Sequence, residues 1–328
     1  MKFKFKIQEY QTKAVSSVVN VFKGQPYCDM VKYTRDLGIR KRRSDGQMTM
    51  YDEEYRNRAF NENDEGFENA NALLSDETLL ANIQKIQQEN NIKVQDELVE
   101  HLGRCSLNIE METGTGKTYV YIKTIFELNQ QYGWSKFIIV VPSIAIREGV
   151  KKSFEQMEDH FMQYYGKKAR YFIYDSKNLP QIDSFASSND IQVMIINAQA
   201  FNARGADARR IYMELDEFQS RRPIDVIKRN RPILILDEPQ KLGGDATQTR
   251  LKDFNPLFCL SYSATHKKQN NLVYVLDALD AYNNKLVKKI EVKGFEVKGL
   301  RGTDSYIYFE NIILSKDKPP MARIELEI

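Results

Sequence analysis

Lys117 and Thr118 close the run Asn108-Ile109-Glu110-Met111-Glu112-Thr113-Gly114-Thr115-Gly116-Lys117-Thr118, whose order of residue types suits one kind of chemistry. Gly114 and Gly116 let backbone N–H groups turn inward around an anion. Lys117 supplies an ammonium that can reach outer phosphates, and the Thr118 hydroxyl can hold a magnesium ion. Thr113 and Thr115 complete the same cradle. The usual phosphate-loop pattern has Gly or Ala five residues before its last glycine, where this chain has Met111. The departure loosens the match to the strict motif but leaves Gly114 to Thr118 intact. The run implies a nucleotide site.

Two further groups sit where such a site needs them. Asp237-Glu238-Pro239-Gln240 follows the apolar run Ile233-Leu234-Ile235-Leu236. An acid at a strand end, in the same sheet as a phosphate loop, can hold magnesium, and its neighbour Glu238 can orient an attacking water. By itself Asp-Glu is a common pair of solvated turn acids, and the loop upstream is what gives it weight. Ser263-Ala264-Thr265 also ends an apolar strand. Its hydroxyls can couple nucleotide state to a neighbouring element, although the triplet alone reads equally as a tight turn. Near the N-terminus lies Gln11, whose amide has the donor–acceptor pair that fits an adenine edge; without the loop it would be a solvated helix glutamine.

The elements that must position these groups follow from periodicity. Tyr10, Ala14, Val15, Val18, Val19 and Phe22 form a helical stripe over residues 8–22. Residues 76–91 read as another helix, and Ser143 is a good N-cap for a helix through Ile146, Val150, Phe154 and Met157. Apolar runs at 136–142, 171–174, 191–196, 231–236 and 257–263 read as buried strands, the run at 257–263 being the last clear one. Strands alternating with helices predict an α/β chain with a doubly wound parallel sheet and its sites at the strands' carboxyl ends. The region from about 24 to 103 changes character. It carries the basic cluster Arg40-Lys41-Arg42-Arg43, which could touch phosphates or be a solvated loop, and the acidic stretch Asn61 to Gly66.

Composition narrows the classes. The chain has 328 residues and a net charge of only +3, so bulk charge does not argue for nucleic acid and any basic surface must be local. Cys28, Cys105 and Cys259 are far apart and fit reduced thiols better than a disulfide framework or a zinc site. The N-terminus lacks the apolar core of a signal peptide, and no run approaches a membrane span. The expectation is a soluble cytoplasmic protein.

Taken in order, Tyr10-Gln11, the run from Glu110 to Tyr119, Lys136 to Val150, Asp237 to Gln240 and Ser263 to His266 resemble a superfamily 2 helicase-like motor. More closely, the chain resembles the restriction (Res) subunit of type III restriction–modification enzymes. Leu272 to Tyr282 and Leu286 to Val292 resemble that family's connector. The resemblance implies a RecA-like P-loop domain with helices on both faces of a parallel sheet, plus the beginning of a second domain. It divides the chain into an adenine-reading helix (1–23), a polar insertion (24–103), the ATPase domain (104–270), and a connector with an incomplete second domain (271–328).

It also implies roles. ATP and Mg2+ would be bound by Gln11, Thr113, Gly114, Thr115, Gly116, Lys117 and Thr118, with Thr118 and Asp237 at the metal. Catalysis would fall to Lys117, Asp237, Glu238 and Gln240, and coupling to Ser263, Ala264 and Thr265. Pro142, Ser143, Arg147, Asn197 and Gln199 would contact double-stranded DNA, and the modification (methyltransferase) subunit would be the protein partner. Such motors take arginine fingers from a second domain, worth about 10³–10⁵-fold in rate. After Thr265 only Arg301 and Arg323 remain, and no nuclease motif is present. The expectation is therefore an N-terminal fragment of a longer restriction subunit. The alternatives are another superfamily 2 DNA translocase and a non-catalytic module that binds DNA or the methyltransferase.

Overall fold

Strong β-formers in five runs and the glycine-punctuated loop between them predict a parallel sheet, and the computed structural model has one. It describes residues 5–38, 64–202, 207–242, 244–266, 270–288, 306–313 and 319–327. The basic cluster at 40–43, residues 61–63, the end of the connector resemblance at 289–292 and Arg301 lie outside the described residues. The chain divides into two units, Met1–Val287 and Lys288–Ile328.

In the first unit, seven strands form one sheet: β3 (Ser106–Met111), β4 (Lys136–Val141), β5 (Arg170–Ile173), β6 (Gln192–Asn197), β7 (Ile233–Asp237), β8 (Cys259–Ser263) and β9 (Asn271–Leu276). Their order is β5-β6-β4-β7-β8-β3-β9 and every pairing is parallel. Side chains alternate between the faces. Leu107, Ile109, Phe137, Ile139, Ile235 and Tyr262 enter one core with α1 (Glu9–Val19), α2 (Asp76–Glu89), α3 (Lys117–Tyr132) and α4 (Ile144–Tyr165). Ile138, Val140, Met194, Leu234 and Leu236 enter the other with α5 (Pro180–Ser187), α6 (Pro223–Arg229) and α7 (Asp245–Leu251). Helices therefore cover both faces, as a parallel sheet requires.

Two parts of the first unit lie outside residues 104–270. The sheet does not end at β8, because β9 pairs with β3 on its far side and so places residues 271–276 in the first unit. The short helix α8 (Ala278–Asn283) follows, and its Ala281 is buried in the same core. Nor is the described part of 24–103 peripheral. It contributes a hairpin of β1 (Val31–Thr34) with β2 (Glu65–Glu68), and α2 seats Leu79 and Ile83 in the core. Side chains from α2 also cap the outer edge of β9: Gln87 donates to the Leu272 carbonyl at 3.0 Å and Asn90 to that of Val273 at 2.7 Å. These bonds blunt the edge, because the carbonyls they occupy are not offered to another chain. Polarity in sequence marked this segment as an insertion; in the fold its amides work as edge covers.

In the second unit, β10 (Tyr306–Ile313) and β11 (Met321–Glu327) form an antiparallel hairpin with a bulge between Phe309 and Asn311. Among the described residues no helix is long and apolar enough to cross a membrane, and Cys28, Cys105 and Cys259 are free.

Candidate functional site

The loop from Glu112 to Gly116 links β3 to the N-terminus of α3. Gly114 and Gly116 have φ of +87° and +90°, a left-handed conformation that glycine adopts without a Cβ penalty. A Cβ on Gly116 would lie 2.5 Å from the Gln11 amide nitrogen, whereas one on Gly114 would meet open space. The loop therefore has a closed side toward α1 and an open side. On the closed side, Tyr10 and Gln11 both donate to the Thr115 carbonyl, at 2.9 and 3.0 Å. Thr115 folds back on the Glu112 carbonyl at 2.6 Å, and the Thr113 N–H is held by the Glu112 carboxylate at 2.7 Å. The nitrogen of the Gln11 amide is thus committed to the loop itself.

Across the sheet, β7 ends at Asp237 and the chain turns at Glu238, whose φ is +52°. A left-handed glutamate costs conformational energy and is held by its surroundings: its N–H bonds the Tyr262 carbonyl at 2.8 Å, and its carbonyl accepts from Lys241 at 2.8 Å. The turn brings Glu238 Oε1 to 2.7 Å from Lys117 Nζ, with the two side chains only 13% and 11% exposed. Lys117 also donates to the Met111 carbonyl at 3.2 Å, so the residue that breaks the loop motif contributes backbone to the site.

The other oxygen of Glu238 joins a second network. Gln240 donates to Oε2, and Ser263 Oγ lies 3.2 Å from the same oxygen, 3.0 Å from Gln240 Oε1 and 2.7 Å from the Thr265 carbonyl. The Thr265 N–H returns to Ser263 Oγ at 3.2 Å. A single carboxylate thus spans the phosphate-loop lysine and the end of β8. The next residue, His266, donates its N–H to Glu110 on β3 at 3.2 Å. Ala264 lies between Ser263 and Thr265, half-buried just past the end of β8.

Charge follows burial. Desolvation, then the neighbouring Glu238 carboxylate, push Asp237 up to about 6 against the pull of Lys117 and Lys241. Burial pushes Glu238 upward too, but its hydrogen bond and ion pair with Lys117, with help from Gln240 and Lys241, outweigh this. The Glu238 carboxylate is held below its ordinary value. A cation-demanding acid therefore stands beside an acid already ionised at neutral pH.

The residues present fit a magnesium–triphosphate group. The glycine cradle is open on one side, Thr118 lies in the first turn of α3, Asp237 is an acid raised by burial, and the Tyr121 hydroxyl near both is wholly buried without a hydrogen-bond partner in good geometry. Such a metal takes only one or two protein oxygens, the rest coming from water and phosphate.

The expected DNA-facing residues lie at the carboxyl ends of β4 and β6. Arg147 donates to Asn197 Oδ1 at 3.3 Å and to Glu148 at 3.0 Å. Ser143 caps α4 by accepting from the Ile146 N–H, while Gln199 is exposed and Pro142 partly so. Sequence reasoning gave no role to Tyr121, Glu110 or His266. Only the three-residue spacing of Thr118 and Tyr121 on one helical face could have pointed to the first of these.

A seven-stranded parallel sheet with helices on both faces and a phosphate-type loop after β3 defines the RecA-like α/β class of helicase-like domains. Residues 4–268 match the family described as "Type III restriction enzyme, res subunit", and the chain belongs to that family. It is 33% identical over 242 residues to the type III restriction-modification enzyme EcoP15I Res subunit of Escherichia coli, covering 68% of this chain and 25% of that protein. The EcoPI Res subunit of Escherichia phage P1 is 31% identical over 242 residues, with the same two coverages of 68% and 25%. The StyLTI Res subunit of Salmonella typhimurium is 31% identical over 230 residues, which is 58% of this chain and 22% of that protein. The chain thus spans about a quarter of the length of the curated relatives it matches. The family is one of helicase-like ATPases.

Proposed function

We propose that this chain is the first motor domain of a type III restriction subunit, binding ATP and magnesium at the 112–118 loop and contacting duplex DNA. The observation that carries the reading is the Glu238 carboxylate, which meets Lys117 at 2.7 Å with one oxygen and the Gln240–Ser263 network with the other. In this reading Gly114 to Thr118 cradle the phosphates, Gln11 offers the adenine its amide oxygen while Thr115 holds its nitrogen, and Thr118 and Asp237 hold the metal. Bound magnesium would neutralise phosphate charge and orient the terminal phosphoryl group. Glu238, ionised at neutral pH, would orient and polarise the attacking water. Its tie to Ser263 and Thr265 would pass the occupancy of the site on to β8 and the segment beyond it.

DNA contact is assigned to Pro142, Ser143, Arg147, Asn197 and Gln199. It relies on small polar groups and backbone amides, in keeping with a net charge of only +3. By name the relatives are subunits of restriction-modification enzymes. We extend this to a modification (methyltransferase) subunit as partner and to ATP-driven movement on DNA in the assembled enzyme.

Lys117→Ala is expected to abolish binding of a fluorescent ATP analogue. Glu238→Gln should spare that binding and reduce hydrolysis by at least about a hundredfold, the scale of a lost water-activating group. Unaltered nucleotide affinity in Lys117→Ala would sink the assignment of the cradle. Stimulation of the ATPase by duplex DNA separates a motor domain from a passive binding module.

A further inference from the structure

We propose that Tyr121 is a positioning residue of the magnesium–nucleotide site, its hydroxyl oxygen accepting from the water shell of a metal held between Thr118 and Asp237. The proposal rests on the nucleotide reading above. Tyr121 opens the second turn of α3, three residues after Thr118, so the two side chains share a helical face. Its side chain is wholly buried, yet no protein atom meets the hydroxyl at hydrogen-bonding distance and angle. The Thr118 hydroxyl stands beside it and Asp237 is close enough to act on it.

The ring has little freedom to take the hydroxyl elsewhere. It packs edge-on against Tyr262 at 5.6 Å, and the Tyr262 hydroxyl is itself engaged with Thr124 at 3.2 Å. Tyr262 lies opposite Asp237 in the β7–β8 register, and its carbonyl receives the Glu238 N–H. Helix and sheet therefore lock the phenol onto the two residues assigned to the metal. A buried hydroxyl without a partner is destabilising, and a phenylalanine would fill the same space without that cost. Two other tyrosines, the buried Tyr174 and the half-buried Tyr212, also leave the hydroxyl without a partner in good geometry. The argument for Tyr121 is therefore its place beside both Thr118 and Asp237. A phenol accepts as well as donates, and a water in a cation's shell, with its oxygen turned to the metal, is a strong donor to it.

The test compares wild type with Tyr121→Phe by titrating a fluorescent ATP analogue in Mg2+ and in EDTA, and by measuring thermal midpoints free of nucleotide and metal. The variant should bind like wild type in EDTA and lose about tenfold of the affinity that Mg2+ adds, equivalent to about 1.4 kcal/mol. Its metal-free midpoint should be equal or higher. Full magnesium enhancement in Tyr121→Phe overturns the assignment. So does a lower metal-free midpoint, which would mean that the hydroxyl is already bonded within the protein. A wild type that binds the analogue with no magnesium enhancement also overturns it, while leaving the nucleotide reading standing. A wild type that binds no nucleotide overturns that reading, and Tyr121 with it.

Discussion

A carboxylate at the end of a buried strand opposes folding until a cation reaches it, and at Asp237 the sign can be worked out. Its pKa rises from 3.8 to about 6, chiefly through burial. The folded protein thus holds the proton more tightly than the unfolded chain between those two values. The cost of ionising Asp237 is fully present above pH 6 and is relieved as pH falls toward 4. Two units correspond to at most about 3 kcal/mol, and solvent reaching the site will reduce that. Asp237→Asn should therefore raise the thermal midpoint in EDTA at pH 7.5, with the gain shrinking as pH is lowered to 5 and then 4. The same variant should lose the magnesium dependence of nucleotide binding. A destabilised variant at pH 7.5 would mean that Lys117 and Lys241 contribute more to Asp237 than burial takes away.

Between elements, Asn69 does the work that no periodicity announces. Wholly buried, it accepts from the Ser135 and Lys136 N–H groups at 2.8 and 3.0 Å and donates to the Lys136 and Arg231 carbonyls at 2.9 and 3.0 Å. One amide thus ties the segment after β2 to the entries of β4 and β7. Asn69→Ala leaves several buried backbone groups unpaired, each costing about 1–3 kcal/mol. We expect a loss of about 2–5 kcal/mol on chemical denaturation. Nucleotide affinity should stay within about twofold of wild type below the transition, since Asn69 lies at the strand ends opposite the loop. The strand–loop–helix order around 108–118, the acids at 237–238 and the hydroxyls at 263–265 were all legible in sequence, because each depends on local backbone demands or on the end of an apolar run. Asn69 was not legible, because a buried asparagine and a solvated one look alike until their backbone partners are known.

At the scale of the whole molecule, the position of β9 decides where the first unit ends. A boundary after residue 270, as the motifs alone suggest, would strip β9 from β3 and leave Gln87 and Asn90 without their carbonyls. A chain ending at Val287 keeps β9, α8 and the packing of Leu286 and Val287 against the core. The 1–287 protein is expected to unfold cooperatively, with a midpoint within a few degrees of the full chain by circular dichroism. The 1–270 protein should be aggregated or lack a cooperative transition. Equal solubility and cooperativity of the two would show that β9 is dispensable.

By itself the sequence determined the class of fold, the family and the residue types of the nucleotide loop. These follow from hydrophobic period, from glycines that allow a left-handed turn, and from acids placed where apolar strands stop. Tertiary structure alone decided which of those residues meet. Glu238 bridges Lys117 and Ser263 because β8 lies between β7 and β3, an order that chain position does not reveal. It also decided that α2 covers a sheet edge and that the Tyr121 hydroxyl is enclosed beside Thr118 and Asp237. Parallel strands can be ordered in many ways with the same local signals, and only long-range packing selects one of them.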